Sequence, residues 1–350
     1  MKPWEDKIRR VTPYTPGEQP QRRQMIKLNT NENPYPPSPS VEAALRNYDP
    51  ASLRLYPDPA MGKLTDALAA YHGVGKNMVF AGVGSDDVLA MAFMTFFSNG
   101  RPILFPDITY SFYSVWAELF GIQYRRPALG PEFLIYPADY FPPNGGVILP
   151  NPNAPTSLYA PLREIEEIIR HNQDVIVVID EAYIDFAGES ALALIPKYEN
   201  LLVVRTYSKS RSMAGMRVGY AIGSPALIRA LNDVKYSFNS YTLSGVAIEA
   251  AAAALRDEDY FRNTIARIRK TRAWTVQKLA ELDFTFPEPA ANFVFARHPK
   301  RPAAEILAAL RARDIYVRHF DAPRISEYLR ITIGTEEQMA ALVEVLRQIL

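Results

Sequence analysis

The sequence predicts an α/β fold: a mainly parallel sheet sandwiched by helices, with a smaller α+β domain and an N-terminal arm. Three observations carry this reading. Val175–Ile179 and Leu201–Val204 are near-continuous apolar, β-branched runs, as strands buried on both faces require. Strand-like and helix-like patterns alternate from about residue 62 onward. Eleven of the 29 prolines fall in the first 59 residues. There, fixed φ and missing donors favour extended chain largely outside regular sheet.

The elements run in order along the chain. Met25–Leu28, Tyr35, Leu53, Leu55 and Tyr56 punctuate the proline-rich stretch, so it reads as an ordered arm over 1–60 rather than a loose tail. Leu64, Ala67, Leu68 and Tyr71 have helical spacing. Met78–Phe80 is a short apolar run before Gly82-Val-Gly84, and Ser85 is placed to cap an apolar helix from Val88 to Phe97. Strands at 102–105, 146–149, 175–179 and 201–204 are predicted. Helices at 111–120 and 162–171 fall between them. This large domain is assigned to 61–245. Beyond it lie an Ala-rich helix at 246–255 and a long cationic helix at 260–282. Shorter strands and helices run on to Leu350, giving a small domain at 246–350.

Composition narrows the chemistry. The 350 residues contain no cysteine and four histidines, with 39 Lys+Arg against 38 Asp+Glu. Disulfides, a thiolate nucleophile and Cys-ligated metals are excluded. His72, His171, His298 and His319 form no metal-binding pair, so no metal is expected. The charge balance argues against nucleic acid, which needs a cationic excess. No apolar run approaches the roughly 18 residues of a membrane helix, and the charged start lacks an apolar leader core. A soluble cytoplasmic protein without membrane association is expected.

The informative segment is Thr206-Tyr-Ser-Lys-Ser210, directly after a buried strand, where open α/β sheets bind ligands. Lys209 there reads either as a surface lysine or as an imine-forming amine, its basicity lowered by Arg205, Arg211 and Arg217. Asp180 ends the run 175–179, and a carboxylate at the tip of a buried strand needs a positive partner. Alone it reads equally as a turn residue. A lysine for an aldehyde and a carboxylate for a ring nitrogen together point to pyridoxal phosphate. Asn153 also follows a strand, and its amide could donate to the cofactor's phenolic oxygen. Tyr110 could stack on a ring. Gly82-Val-Gly84-Ser85 before a helix suits a phosphate held by backbone N–H groups. It lacks the third glycine of a dinucleotide fingerprint. The side chains of Asp86 and Asp87 would repel a phosphate, so only their backbone helps. Ser208 and Arg217 can complete the anion site.

These blocks resemble the fold-type I pyridoxal-phosphate enzymes of the aspartate aminotransferase superfamily, most closely the histidinol-phosphate aminotransferases. The matching segments are Leu28-Asn-Thr-Asn-Glu-Asn-Pro34, Tyr56-Pro57, Gly82–Asp86, Tyr110, Asn151-Pro-Asn153, Asp180-Glu-Ala-Tyr183, Thr206–Lys209, Ala214–Gly219 and Leu329–Gly334. The resemblance implies a role for each residue. Lys209 binds the cofactor aldehyde and moves the α-proton, and Asp180 pairs with the ring nitrogen. Asn153 and Tyr183 bond the phenolic oxygen, and Tyr110 stacks. Gly84, Ser85, Asp86 (backbone), Ser208 and Arg217 hold the phosphate, with Thr206 as a possible addition. Tyr56 reaches the neighbouring subunit's cofactor phosphate, implying a homodimer with shared active sites. Arg330 binds a substrate carboxylate, Arg318 a second carboxylate or the phosphate of the amino donor, and Tyr14 and Asn33 lie on the covering arm. One departure stands out: where the family often reads Asn-Pro-Asn-Asn-Pro-Thr-Gly, this chain has Ala154 and Ser157.

The implied reaction is transamination between histidinol phosphate, as amino donor, and 2-oxoglutarate, a 2-oxo acid. Aromatic or broad-range aminotransferases and phospho-amino-acid decarboxylases share Lys209 and Asp180 and remain alternatives. A transcription-regulator sensor would need an added DNA-binding domain. A dehydrogenase would leave Lys209 without a role.

Overall fold

The computed structural model describes residues 2, 4–20 and 24–350; positions 1, 3 and 21–23 of the expected arm lie outside the described residues. The first part of the chain runs β1 (Ile26–Leu28), α1 (Pro39–Arg46), α2 (Gly62–His72), β2 (Val79–Gly82), α3 (Gly84–Phe96), β3 (Ile103–Leu104), α4 (Phe112–Phe120) and β4 (Tyr124–Arg125). The middle comprises β5 (Val147–Pro150), α5 (Leu162–His171), β6 (Val177–Asp180), β7 (Leu201–Thr206), β8 (Gly219–Gly223), α6 (Pro225–Phe238) and α7 (Gly245–Ala254). The last part is α8 (Glu258–Ala280), β9 (Phe293–Ala296), α9 (Ala303–Arg311), β10 (Ile315–His319), β11 (Leu329–Thr332) and α10 (Glu336–Ile349).

The larger sheet has the order β2-β8-β7-β6-β5-β3-β4. Neighbours from β7 through β4 are parallel, while β8 runs antiparallel to both β2 and β7. Successive strand residues face opposite sides. Val177 and Ile179 pack with Val147, Leu149, Leu201 and Val203 in one apolar cluster. Val178 packs with Ile148, Leu202 and Val204 in another. Helices cover both clusters, which is why these strands read as unbroken apolar runs.

The smaller sheet has the order β1-β10-β11-β9, over a core that includes Phe293, Ile331, Ile268 and Leu342. Here the arm, expected as extended chain largely outside regular sheet, adds one short strand to the smaller sheet. Its residues Ile26–Leu28 form β1, parallel to β10 with Ile26 opposite Ile315. α1 opens on Pro39, whose missing donor is harmless in a first turn. The Ala-rich α7 departs from its assignment. Ala247, Ile248, Ala250, Ala251 and Ala254 pack with Leu64, Leu68 and Val79 of the large-sheet core. The smaller core draws instead on α8 and the elements C-terminal to it. Neither β8 nor α6 is among the elements expected from the sequence. β8 both begins and ends on glycine, which weakens a strand signal. For α6 a sign is present, since Ser224 caps and Pro225 opens the helix. No helix among the described residues is long and apolar enough to cross a membrane.

Candidate active site

A cavity of about 370 Å³ lies at the carboxyl ends of the parallel strands, lined by Ser85, Asp86, Tyr110, Asp180, Tyr183, Thr206, Ser208, Lys209 and Arg217, with Thr30 and Glu32 from the arm. The sheet register explains the convergence. Pro150 and Val204 flank Asp180 in the neighbouring strands, so the loops beyond them open on the same edge.

Asp180 is 5% exposed. Its Oδ2 accepts the Tyr113 hydroxyl at 2.8 Å and its Oδ1 the Ala182 N–H at 3.2 Å. Burial pushes its carboxyl up to about 6, against the pull of these two neutral donors. A buried carboxylate held by neutral donors and facing a cavity suits a ligand carrying a cationic N–H. Lys209 donates from Nζ to the Thr30 carbonyl at 3.0 Å, and Nζ lies 5.8 Å from the Tyr183 ring centroid. Glu32 is beside it. Burial raises the Glu32 carboxyl, but hydrogen bonds from Lys27 and Thr30 and the charges of Lys27 and Lys209 outweigh this and hold it low.

The anion cradle is at the start of α3. Gly84 has φ +82°, and a Cβ there would stand 2.5 Å from Nη2 of Arg217. Only glycine lets the guanidinium cover this turn. Gly219 has a similar role: its Cβ would lie 2.2 Å from the Ser85 nitrogen. Backbone N–H groups of the first turn of α3 lack intrahelical acceptors. Ser208 donates from its N–H to Thr206 Oγ1 at 3.1 Å, which fixes the loop before Lys209. The Asp86 side chain accepts from Arg217 Nη2 at 3.1 Å and from the Tyr110 hydroxyl at 2.8 Å. The repulsion expected of Asp86 is thus relieved by pairing. These features fit pyridoxal phosphate: an acid for the ring nitrogen, an amine for the aldehyde and a cradle for the phosphate.

A second cavity of about 380 Å³ adjoins the first and shares Tyr110 and Ala154 with it. Arg330 and Tyr14 line it. Arg330 Nη2 donates to the Asn29 carbonyl at 2.9 Å, while its buried Nε has no hydrogen-bond partner among the described residues. Burial pulls this guanidinium below its ordinary value, as expected of a cation awaiting an anion.

A family model for class I and II aminotransferases matches residues 23–346. The chain belongs to the class I and II aminotransferases. It is 53% identical over 350 residues to histidinol-phosphate aminotransferase 2 of Dechloromonas aromatica, covering 99% of this chain and 98% of that one. It is 50% identical to the histidinol-phosphate aminotransferase of Clostridium beijerinckii, covering 99% and 97%. The crystal structure of histidinol-phosphate aminotransferase from Sinorhizobium meliloti in complex with pyridoxal-5'-phosphate superposes with TM-score 0.84 at 25% identity, over 94% of this chain and 93% of that one.

Within this aminotransferase, three predicted residues, Asn153, Asn33 and Arg318, sit differently from expectation. Asn153 does not line the Lys209 cavity. Its Nδ2 donates to the Ile108 carbonyl at 3.0 Å and Thr156 Oγ1 at 2.9 Å, and its buried Oδ1 has no hydrogen-bond partner among the described residues. Asn33 lies outside both cavities. Its Nδ2 donates to the Lys209 and Ser210 carbonyls, 3.1 Å each, so it ties the arm to the lysine loop. Arg318 also lines neither cavity and donates to the Thr15 and Pro16 carbonyls, 3.2 and 3.3 Å away. Tyr56, expected to reach a neighbouring subunit, points outward, 81% exposed, and stacks on Tyr241 at 4.6 Å. Two residues escape sequence reasoning. Tyr113 holds Asp180, and Asn31 donates to the Tyr183 hydroxyl at 2.9 Å. Tyr113 reads as a core tyrosine on a helix, and Asn31 is one of three asparagines between Leu28 and Pro34 with nothing to single it out. Ser157 takes the position of the usual glycine with φ +67°. Its Oγ donates to the Phe293 carbonyl at 3.1 Å and accepts the Ala291 N–H at 2.9 Å.

Proposed function

We propose that this chain is a pyridoxal-phosphate-dependent aminotransferase of histidine biosynthesis, transferring the amino group of histidinol phosphate to 2-oxoglutarate to give imidazole acetol phosphate and glutamate. One observation carries the reading: the half-buried guanidinium of Arg330, whose buried Nε has no hydrogen-bond partner among the described residues, lies one cavity away from the Lys209–Asp180 pair. That spacing suits an amino donor whose reacting carbon sits at Lys209 and whose anionic end meets Arg330. Relatives of that name at 50% identity or more over nearly the whole chain support it.

Bound cofactor supplies the electron sink that acidifies the hydrogen on the amine-bearing carbon. The protein does the rest. Asp180 would stabilise a protonated ring nitrogen through its charge, and Tyr113 and Ala182 hold its carboxylate in place. Lys209 Nζ would take the proton from the substrate carbon and deliver it to the carbon derived from the cofactor aldehyde, a positioned transfer typically worth about 10²–10⁴-fold. The Tyr183 hydroxyl accepts from Asn31 and keeps its own hydrogen to donate. Arg217, Ser208 and the first turn of α3 bind the phosphate. The arm, through Thr30 and Glu32, closes one wall and limits water. The reading makes the enzyme a cytoplasmic homodimer. Leu53, Leu55, Tyr56, Phe238 and Tyr241 are exposed together in sequence blocks suited to a second copy.

A broad aromatic specificity is the second reading, favoured by Tyr14, Phe105, Tyr110 and Phe320 around the adjoining cavity. The test is kcat/KM for histidinol phosphate, phenylalanine and tyrosine, each against 2-oxoglutarate. A preference of about 10²-fold or more for histidinol phosphate is expected. Equal values would transfer the assignment to the aromatic reading.

A further inference from the structure

Lys235, on α6, is a buried lysine that the chemistry above does not use. It is 1% exposed, and a buried ammonium persists only with partners. Its Nζ donates to the Pro59 carbonyl at 2.5 Å and lies 4.2 Å from the Tyr236 ring centroid. Burial lowers its basicity, while the charges of Asp58 and Asp87 oppose that.

The two carboxylates belong to different parts of the molecule. Asp58 accepts the Ala60 and Gly62 N–H groups at 2.9 and 2.7 Å, fixing the turn that ends the Tyr56–Pro59 segment. Asp87 accepts the Val83 N–H at 2.9 Å, fixing the entry to α3 and so the phosphate cradle. A Cβ on Gly82 would come within 2.6 Å of that same Asp87 oxygen, so the turn is drawn tight around it. Lys235 therefore anchors the segment that presents Tyr56 to α6 through the Pro59 carbonyl, and Ile228 and Leu231 of α6 pack with Val88 and Ala92 of α3, the helix whose first turn is the cradle. Pro59 follows Tyr56 by three residues, at most about 10 Å of chain, so the anchor is short enough to fix where the Tyr56 segment leaves the surface.

We propose that Lys235 is a positioning residue that locks the Tyr56 segment to the phosphate cradle, coupling subunit association to cofactor retention. This rests on the homodimer reading, in which Tyr56 reaches the neighbouring subunit's cofactor phosphate. A role confined to packing would lower stability without any link to Tyr56.

The test is the dissociation constant of pyridoxal phosphate from reconstituted apo-protein, read by absorbance, together with the dimer dissociation constant from sedimentation. Both are measured for wild type, Lys235→Met, Tyr56→Phe and the double variant. Lys235→Met is expected to weaken cofactor binding about tenfold and to loosen the dimer in parallel. The double variant is expected to bind cofactor no more than about twofold worse than the weaker single variant. Lys235→Arg is expected to recover most of the loss. If Lys235→Met does not fold, Lys235→Gln, which keeps a donor for Pro59, is read in its place. Cofactor binding unchanged in the lysine variant, or losses that multiply fully in the double variant, overturn the inference while leaving the shared site standing. Tyr56→Phe without effect overturns the shared-site reading and this inference with it.

Discussion

Asp180→Asn isolates the charge that β6 delivers to the cavity. Burial raises the Asp180 carboxyl from its ordinary 3.8 to about 6, although Tyr113 and Ala182 donate to it. At about 1.4 kcal/mol per tenfold change in proton affinity, ionised Asp180 costs the cofactor-free fold about 3 kcal/mol above pH ~6. Asparagine keeps the volume and the acceptor for Ala182. Its amide turns the Tyr113 hydroxyl into an acceptor, which forfeits about 1 kcal/mol. The cofactor-free variant is therefore expected to be about 2 kcal/mol more stable than wild type near pH 8. The native carboxyl binds its proton more tightly than the unfolded one. Wild-type stability is thus regained as the pH falls through about 6 toward 3.8, and the variant's advantage disappears there. Urea unfolding of apo-protein at about pH 8, 6 and 4.5 measures this directly, and the same variant should hold cofactor more weakly. A variant less stable than wild type near pH 8, or an advantage independent of pH, refutes the view of Asp180 as a buried charge awaiting its cation.

Three further outcomes are expected. Lys209→Ala abolishes turnover and removes the borohydride-sensitive visible absorbance of the holoenzyme; full activity in that variant sinks the assignment. Arg330→Gln lowers kcat/KM for histidinol phosphate by about 10²-fold or more, since charge-assisted bonds are worth about 1.5–3 kcal/mol each, and lowers that for unphosphorylated histidinol much less; equal losses would place the phosphate elsewhere. Ser157→Ala destabilises the protein by about 1–3 kcal/mol, because the Ala291 N–H loses its acceptor. Ser157→Gly costs about 1 kcal/mol less, because the positive φ is relieved. Denaturant midpoints that rank glycine below alanine would show that backbone conformation is not a factor there.

Much of the site was legible because its chemistry is carried by residues at strand ends. Asp180, Lys209 and the Gly84–Ser85 turn each come after an apolar run, and such runs announce themselves through burial on both faces. Side-chain direction was not legible. Asn33 and Arg318 have the right residue types in the right blocks, yet their donors meet backbone carbonyls of the Lys209 loop and the arm. Asn153 follows its strand as expected, but the turn aims its amide at Ile108. Tyr113 could not be found by pattern, because a tyrosine on the buried face of α4 looks the same whether its hydroxyl meets a carboxylate or nothing.

The sequence by itself determined the alternating α/β architecture, the strand-end lysine and aspartate, and membership of a cofactor-using class in a chain without cysteine. These arise from local periodicity and residue chemistry. The tertiary structure alone decided that part of the arm becomes β1 beside β10, that α7 joins the large core, and that Arg330 keeps an unpartnered Nε beside the Lys209 cavity. It also decided that Lys235 is buried with its ammonium on the Pro59 carbonyl. Each of these depends on segments far apart in the chain meeting in space, and which donor then finds which acceptor is settled by packing rather than by spacing.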